Sequence, residues 1–338
     1  MKSLTITFII FLTCITHAVS QQPKLHTPSE IFKIMSDSKL MYEVKILDKP
    51  IACPDYSDKL NYHDSYRVVT DSGFYTRQYQ INDKARPLFD QAEAFFKANN
   101  PYSALIYYRM ALDADSSQYY IMTYIGQIYD GQKDYENSIQ WYKKAIEKNY
   151  IDYMAHWFLA DAYFAINDMK NALDEIVIAR ILNRNNQRIA ASMVNIFKKA
   201  KRNTDDWYFN PQIAINEGEG HKIIVEMSAD WTAYAMAKAL WNFEPGYKES
   251  MGVAPDNYTT LEEKECLIAQ LVGMENAETN VKKNTQLKIL KKATANNQLD
   301  DYMLYEIFLP KFPDIAFQLT EQTILSIKDY VLNVRHTK

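Results

Sequence analysis

A period of 34 residues, unbroken from Ala85 to Gln187, limits what this chain can fold into more than any other feature. Blocks open at Ala85, Tyr119 and Tyr153. The eighth place of each holds Ala92, Gly126 and Ala160, and the eleventh holds Phe95, Tyr129 and Tyr163. The twentieth holds Ala104, Ser138 and Ala172, the twenty-fourth Tyr108, Tyr142 and Ile176, and the twenty-seventh Ala111, Ala145 and Ala179. Small residues recurring at these places fit two antiparallel helices per block, since backbones approach closely only where side chains are short. The large residues at places eleven and twenty-four then fill the neighbouring grooves. Turn and cap residues fall between the helices: Asn99-Asn100-Pro101, Gly131-Gln132-Lys133-Asp134 and Asn167-Asp168.

The pattern resembles the tetratricopeptide repeat (TPR), whose period and small/aromatic columns it shares over about a third of the chain. Departures are mild. Ser116, Tyr150 and Arg184 stand where that family favours proline, and Leu88, Met122 and His156 where it favours tryptophan, with Trp157 one step late. The resemblance implies a mainly α fold: an α-solenoid of three helical hairpins plus a capping helix. It also implies a mode of action, holding a protein or peptide partner, with no cofactor. In TPR proteins the first helix of each hairpin lines a concave groove. Carried onto this register, the groove residues are Phe89, Glu93 and Phe96, then Tyr120, Gln127 and Asp130, then Trp157, Asp161 and Phe164. Aromatic side chains with a few acidic points suit an extended peptide or a partner's helix. The same positions become interdomain core if a flanking segment fills the groove. The carboxylate clamp of chaperone-binding repeats is missing, because its lysine, arginine and asparagine positions fall on Phe89, Glu93, Tyr124, Met154 and Phe158.

The flanks follow other periods. Residues 1–20 have the form of a secretory signal: Lys2, an apolar run from Leu4 to Ile15, and Ala18-Val19-Ser20 before the cleavage point. Export to the periplasm or outside the cell is the expectation, with lipid attachment at Cys14 as the alternative. No later stretch is apolar enough to span a membrane. Residues 21–84 form a small α/β piece. Thr27-Pro28-Ser29-Glu30 is a capping box opening a helix to about Met41. Tyr42 to Leu47 alternates as a strand, and Tyr66 to Tyr79 as a hairpin around Asp71-Ser72-Gly73. The repeats and their cap, with Ile189, Met193, Val194 and Phe197 on one face, occupy 85–202. Residues 207–338 make a helical C-terminal domain of unknown role. Its helices are expected over about 229–242, 260–274, 284–295, 299–309 and 313–334, with one strand at Lys222–Met227 and a break at Pro310 and Pro313.

Chemistry is hard to find. A net charge of −4, or −5 once Lys2 leaves with the leader, argues against nucleic acid, which needs a concentrated basic face. His26, His63, His156, His221 and His336 lack metal-ligand spacing, and His156 falls at a packing position. Cys53 and His63 lie in an irregular segment without an orienting third group. Glu262/Glu263 and Asp300/Asp301 stand at helix starts, where carboxylates complement the dipole. The leading expectation is a non-enzymatic scaffold of the cell envelope that offers its aromatic groove to a peptide segment. One alternative is a surface glycan- or nutrient-capture accessory using Trp157, Trp231 and Trp241; another is an enzyme with its site in residues 207–338. Oligomeric state stays open.

Overall fold

The computed structural model describes residues 24–56, 60, 65–254, 257–276 and 284–337. The leader, Cys14 and His63 lie outside them. Helix α1 (Pro28–Asp37) opens on the expected box: Thr27 accepts from the Glu30 amide while Glu30 accepts from Thr27. Strand β1 (Met41–Ile46) and the hairpin β2 (Tyr66–Thr70) and β3 (Gly73–Arg77) follow.

Seven helices carry the repeats: α2 (Arg86–Lys97), α3 (Pro101–Ala114), α4 (Tyr119–Gly131), α5 (Tyr135–Lys148), α6 (Tyr153–Ala165), α7 (Met169–Leu182) and α8 (Gln187–Lys199). Their ends keep the sequence register. Place sixteen caps every second helix, where Asn100, Asp134 and Asp168 each accept from the amide three residues on. Place fifteen turns left-handed each time, at Asn99 (φ 55°), Lys133 (φ 62°) and Asn167 (φ 62°). That turn lets the next amide reach back to the helix's last carbonyls, as in Asp134 N–H to Tyr129 O at 2.9 Å. Asparagine tolerates a positive φ and lysine does so poorly. Lys133→Gly is therefore expected to stabilise the chain by about 1 kcal/mol, read as a higher urea midpoint. An unchanged midpoint would refute the strain argument.

The small-residue columns lie where the helices cross. Ala92, Ala104, Ser138, Ala160 and Ala172 are all fully buried. A methyl group on Gly126 would come within 2.4 Å of the Tyr142 ring, so place eight must stay bare in the second block. His156 is buried and satisfied, with Nε2 at 2.9 Å from Tyr150 O and Nδ1 beside Glu175. It is a packing residue, as its place predicted.

Beyond the repeats come β4 (Ile213–Glu217), β5 (Lys222–Met227), a 3₁₀ turn at Ala229–Trp231, α9 (Thr232–Phe243), α10 (Tyr247–Ser250), α11 (Thr260–Asn276) and α12 (Thr285–Ala295). Strand β4 had no place in the sequence reading. It pairs antiparallel with β5, and β1 pairs parallel on β5's other side, Met41 opposite Lys222 through Ile46 opposite Met227. The front segment is thus joined by backbone hydrogen bonds to the far end of the chain, and α1 packs on α9 and α11.

The last helices depart from expectation at the prolines. Helix α13 (Leu299–Tyr302) widens into π-helical turns at Met303–Phe308 and continues as α14 (Leu309–Lys311), straight through Pro310. The wider turn accommodates a residue that lacks an N–H and crowds the preceding carbonyls. The break comes at Phe312, before a 3₁₀ segment at Pro313–Gln318; a second comes at Thr320, which caps α15 (Glu321–Tyr330).

The C-terminal region sits against α7, the second helix of its hairpin, through α15 and the 3₁₀ segment. One hydrophobic core accordingly runs from Ile176 and Ile181 of α7 to Ile324, Ile327 and Tyr330 of α15, while a smaller one fills the first two repeats and reaches Ala155 of α6. A buried ionic cluster crosses the same junction. Arg180 of α7 and Arg184, in the turn after it, reach Asp206 at 2.8 and 3.3 Å, and Arg184 lies 3.7 Å from Glu306. Glu306 also accepts from Arg335 Nε at 2.9 Å and Tyr330 Oη at 2.8 Å. Burial works to raise the Asp206 carboxyl, but Arg184, Arg180 and Arg335 outweigh it and hold it down to about 2.

Candidate functional site

The nine residues carried over from the register all lie on the first helices of their hairpins, and each is half-buried or exposed. They divide into two groups. In the first, Phe89 of α2 meets Tyr120 of α4 edge-on at 5.5 Å and stacks near Tyr124 at 6.4 Å. Tyr120 in turn lies 5.5 Å from Tyr79, so the segment after β3 covers this end of the face. Tyr79 is fixed there by its hydroxyl, which donates to Asp115 at 2.7 Å. Glu93 accepts from the Tyr108 hydroxyl and lies 3.9 Å from Lys97. Phe96 is 38 % exposed.

The second group gathers Asp130 of α4 with Trp157, Asp161 and Phe164 of α6. Trp157 stacks on Phe158 with ring centres 5.0 Å apart. Asp161 accepts from the Ser192 hydroxyl of α8. Burial raises both carboxyls, and for Asp161 the hydrogen bond from Ser192 opposes the rise while the charge of Asp130 adds to it. Among the described residues no lysine, arginine or histidine forms an ion pair with Asp130 or Asp161. Asp130 and Asp161 thus form a pair of half-buried carboxylates that repel one another, with the Trp157 indole beside Asp161; an ammonium or guanidinium between them would relieve that repulsion. Gln127 is half-buried between the two groups in sequence and space along α4.

Sequence reasoning missed Tyr79, Tyr108 and Ser192 as parts of this face. Tyr108 stands in the aromatic column at place twenty-four, and Ser192 falls at place six if the period is carried past Gln187 into α8. Tyr79 gave no such signal, since it precedes the first block. The clamp positions are filled by packing: Tyr124 lies against Phe89, and Phe158 lies between Trp157 and Tyr142, 6.1 Å from the latter ring.

Elsewhere the structure corrects one reading and adds to another. Trp231 and Trp241, named for sugar stacking, are each 1 % exposed; Trp231 packs on Phe209, and the Trp241 indole donates to Glu265 at 2.7 Å. Neither can meet a glycan. Glu262 and Glu263 do open α11, but they are buried and clasp Lys238, with Glu262 Oε1 at 2.6 Å. Cys53 is exposed and Cys266 buried, and they are not bonded to each other. Among the described residues no group of three or more histidines, cysteines or carboxylates is placed to hold a metal, and no helix is long and apolar enough to cross a membrane.

Comparison with known proteins gives one family match: a tetratricopeptide-repeat model fits residues 89–150. No curated protein matches. Among solved structures, the chain is similar to the first TPR of Spaghetti (RPAP3) bound to the HSP90 peptide SRMEEVD, with 20 % identity, 35 % of this chain and 96 % of that one covered, and a TM-score of 0.34. PilF of Pseudomonas aeruginosa shares 16 % identity over 70 % of this chain and 80 % of its own, with a TM-score of 0.33. A tetratricopeptide-repeat protein from Parabacteroides merdae shares 12 % identity over 75 % of this chain and all of its own, again at 0.33. With scores this low, the assignment rests on the repeat register and the family match.

Proposed function

Because this chain is a tetratricopeptide-repeat protein, we propose that it is a scaffold that holds a segment of a partner protein along α2, α4 and α6, without catalysing a reaction. The observation that carries this reading is the pair Asp130 and Asp161, with Trp157 beside Asp161: half-buried acids with no cationic partner among the described residues. The segment accepted there carries a lysine or arginine that enters between the two carboxylates, and apolar side chains that rest on Phe89, Phe96 and Phe164. Residues 1–20 direct the chain to the cell envelope, where the partner is met. The burial of Trp231 and Trp241 counts against the glycan-capture alternative.

The test is partner capture by the wild type and by Trp157→Ala/Asp161→Lys, each checked for unchanged helical content. The double variant is expected to lose its partners, and raised salt to weaken the wild type's hold. If the folded double variant keeps every partner, the face is misassigned.

A further inference from the structure

The repeat register supplies an internal control for the outer side of the solenoid. Places eighteen, twenty-two and twenty-six lie one turn apart on the second helix of each block. In the second block they are Glu136, Gln140 and Lys144, all exposed on α5. The fold therefore asks nothing apolar of these places. In the third block they are Lys170, Asp174 and Ile178, and here the chain covers its own helix: Ile178 is 4 % exposed, α15 packs on α7, and Lys328 of α15 lies 3.5 Å from Asp174. In the first block they are Tyr102, Ile106 and Met110, which stay 79, 55 and 44 % exposed on α3. The chain thus shows a bare face that is polar, a covered face that is partly apolar, and a bare face that is wholly apolar.

We propose that this third face is a homodimer interface, in which a second copy of the chain lays its own α3 antiparallel across it about a two-fold axis at Ile106. The α7–α15 junction shows that this side of a repeat accepts a helix whose apolar ridge faces inward, and α3 itself presents such a ridge, in every copy. Antiparallel pairing about Ile106 sets that residue against itself and Tyr102 against Met110, a ring on a thioether, so each apolar group meets another. The charges agree with it. Asp113, exposed at the end of α3, comes to the opening turn of the other α3 after Asn99 and Asn100, where the helix dipole favours a carboxylate. Arg109 falls opposite Ser103 and stays turned to the Tyr129 hydroxyl, 2.7 Å away. No like charges are brought together. The pairing leaves the first helices of the hairpins free, so a dimer presents two partner-binding faces.

Sedimentation equilibrium on the full chain tests this. The wild type is expected to have twice the monomer mass. A triple variant given the second block's own letters, Tyr102→Glu/Ile106→Gln/Met110→Lys, is expected to fall to monomer mass with unchanged thermal unfolding. A third protein, Ile106→Cys in a Cys14→Ser/Cys53→Ser background, is expected to form a disulfide-linked dimer on mild oxidation, because a residue on the axis faces its own copy. A monomeric wild type, at the highest soluble concentration, overturns the proposal and gives the face to some other protein. A dimer that survives the triple variant also overturns it. Failure of the Ile106→Cys cross-link, with dimer loss in the triple variant, overturns the antiparallel arrangement.

Discussion

Glu306→Gln is expected to lower the unfolding free energy by about 3–5 kcal/mol, because it takes from buried Arg335 its paired carboxylate and leaves buried Arg184 with Asp206 alone. Arg184 and Arg335 are each 1 % exposed, and Glu306 lies 3.7 and 2.9 Å from them. Asp206 alone cannot balance three arginines. Chemical denaturation of wild type and variant measures the loss. The double variant Glu306→Met/Arg335→Met is expected to lose less than the two single changes added, since removing both members of that pair leaves only Arg184 short of a carboxylate. Strict additivity would show that the cluster is not a coupled unit. Acid reports on the same cluster through Asp206. Its folded value, held near 2, lies below the ordinary aspartate value, so its contribution is fully present at neutral pH and is lost as the pH falls from about 4 towards 2.

Lys238→Ala is expected to cost a similar amount, about 3–5 kcal/mol, for the opposite reason: it strands two anions. The Lys238 ammonium meets Glu262 at 2.6 Å and Glu263 closer still, and Glu263 also accepts from Tyr234 at 2.7 Å and Tyr258 at 2.6 Å. Burial works to raise the Glu263 carboxyl, but Lys238 outweighs it and holds it below the usual range. In the wild type that stabilisation is therefore present above the ordinary glutamate value and is lost as the pH falls. Without the ammonium, burial is left unopposed by Lys238 at Glu263 and raises that carboxyl, so the variant's deficit is expected to shrink as the pH is lowered from 8 to 5. Urea unfolding at several pH values checks the sign. A deficit that stays constant would mean that Lys238 does not hold the Glu263 carboxyl down.

What was legible in the sequence follows from how far each signal reaches along the chain. The helices from α2 to α8 were readable because cap, turn and crossing residues all lie within one block, and Asn100, Asp134 and Asp168 sit where place sixteen requires them. The pairing of β1 with β5 was not readable, because nothing near Tyr42 or Val44 names a partner beyond the repeats. Strand β4 was overlooked because Ile213-Ala214-Ile215 is a short, half-exposed edge with little alternation. At Pro310 the rule that proline ends a helix lost to a π turn, whose apolar spacing in the sequence resembles that of an ordinary helix. The charges at Glu262, Glu263 and Glu306 look like surface residues until the elements that cover them are known. The candidate face was half legible. Its nine positions come from the register, whereas the contacts made by Tyr79 and Ser192 depend on segments outside the three blocks.

The parallel pairing of Met41–Ile46 with Lys222–Met227 has a consequence during synthesis. The first strand leaves the ribosome long before its neighbour exists, and at ordinary rates of translation the wait is roughly 10–40 s. All seven repeat helices can form in that interval, since their contacts are nearly all between adjacent turns of the chain. The sheet closes last, around a solenoid already in place. Until it does, the backbone N–H and C=O groups along that side of β1 have no strand to bond.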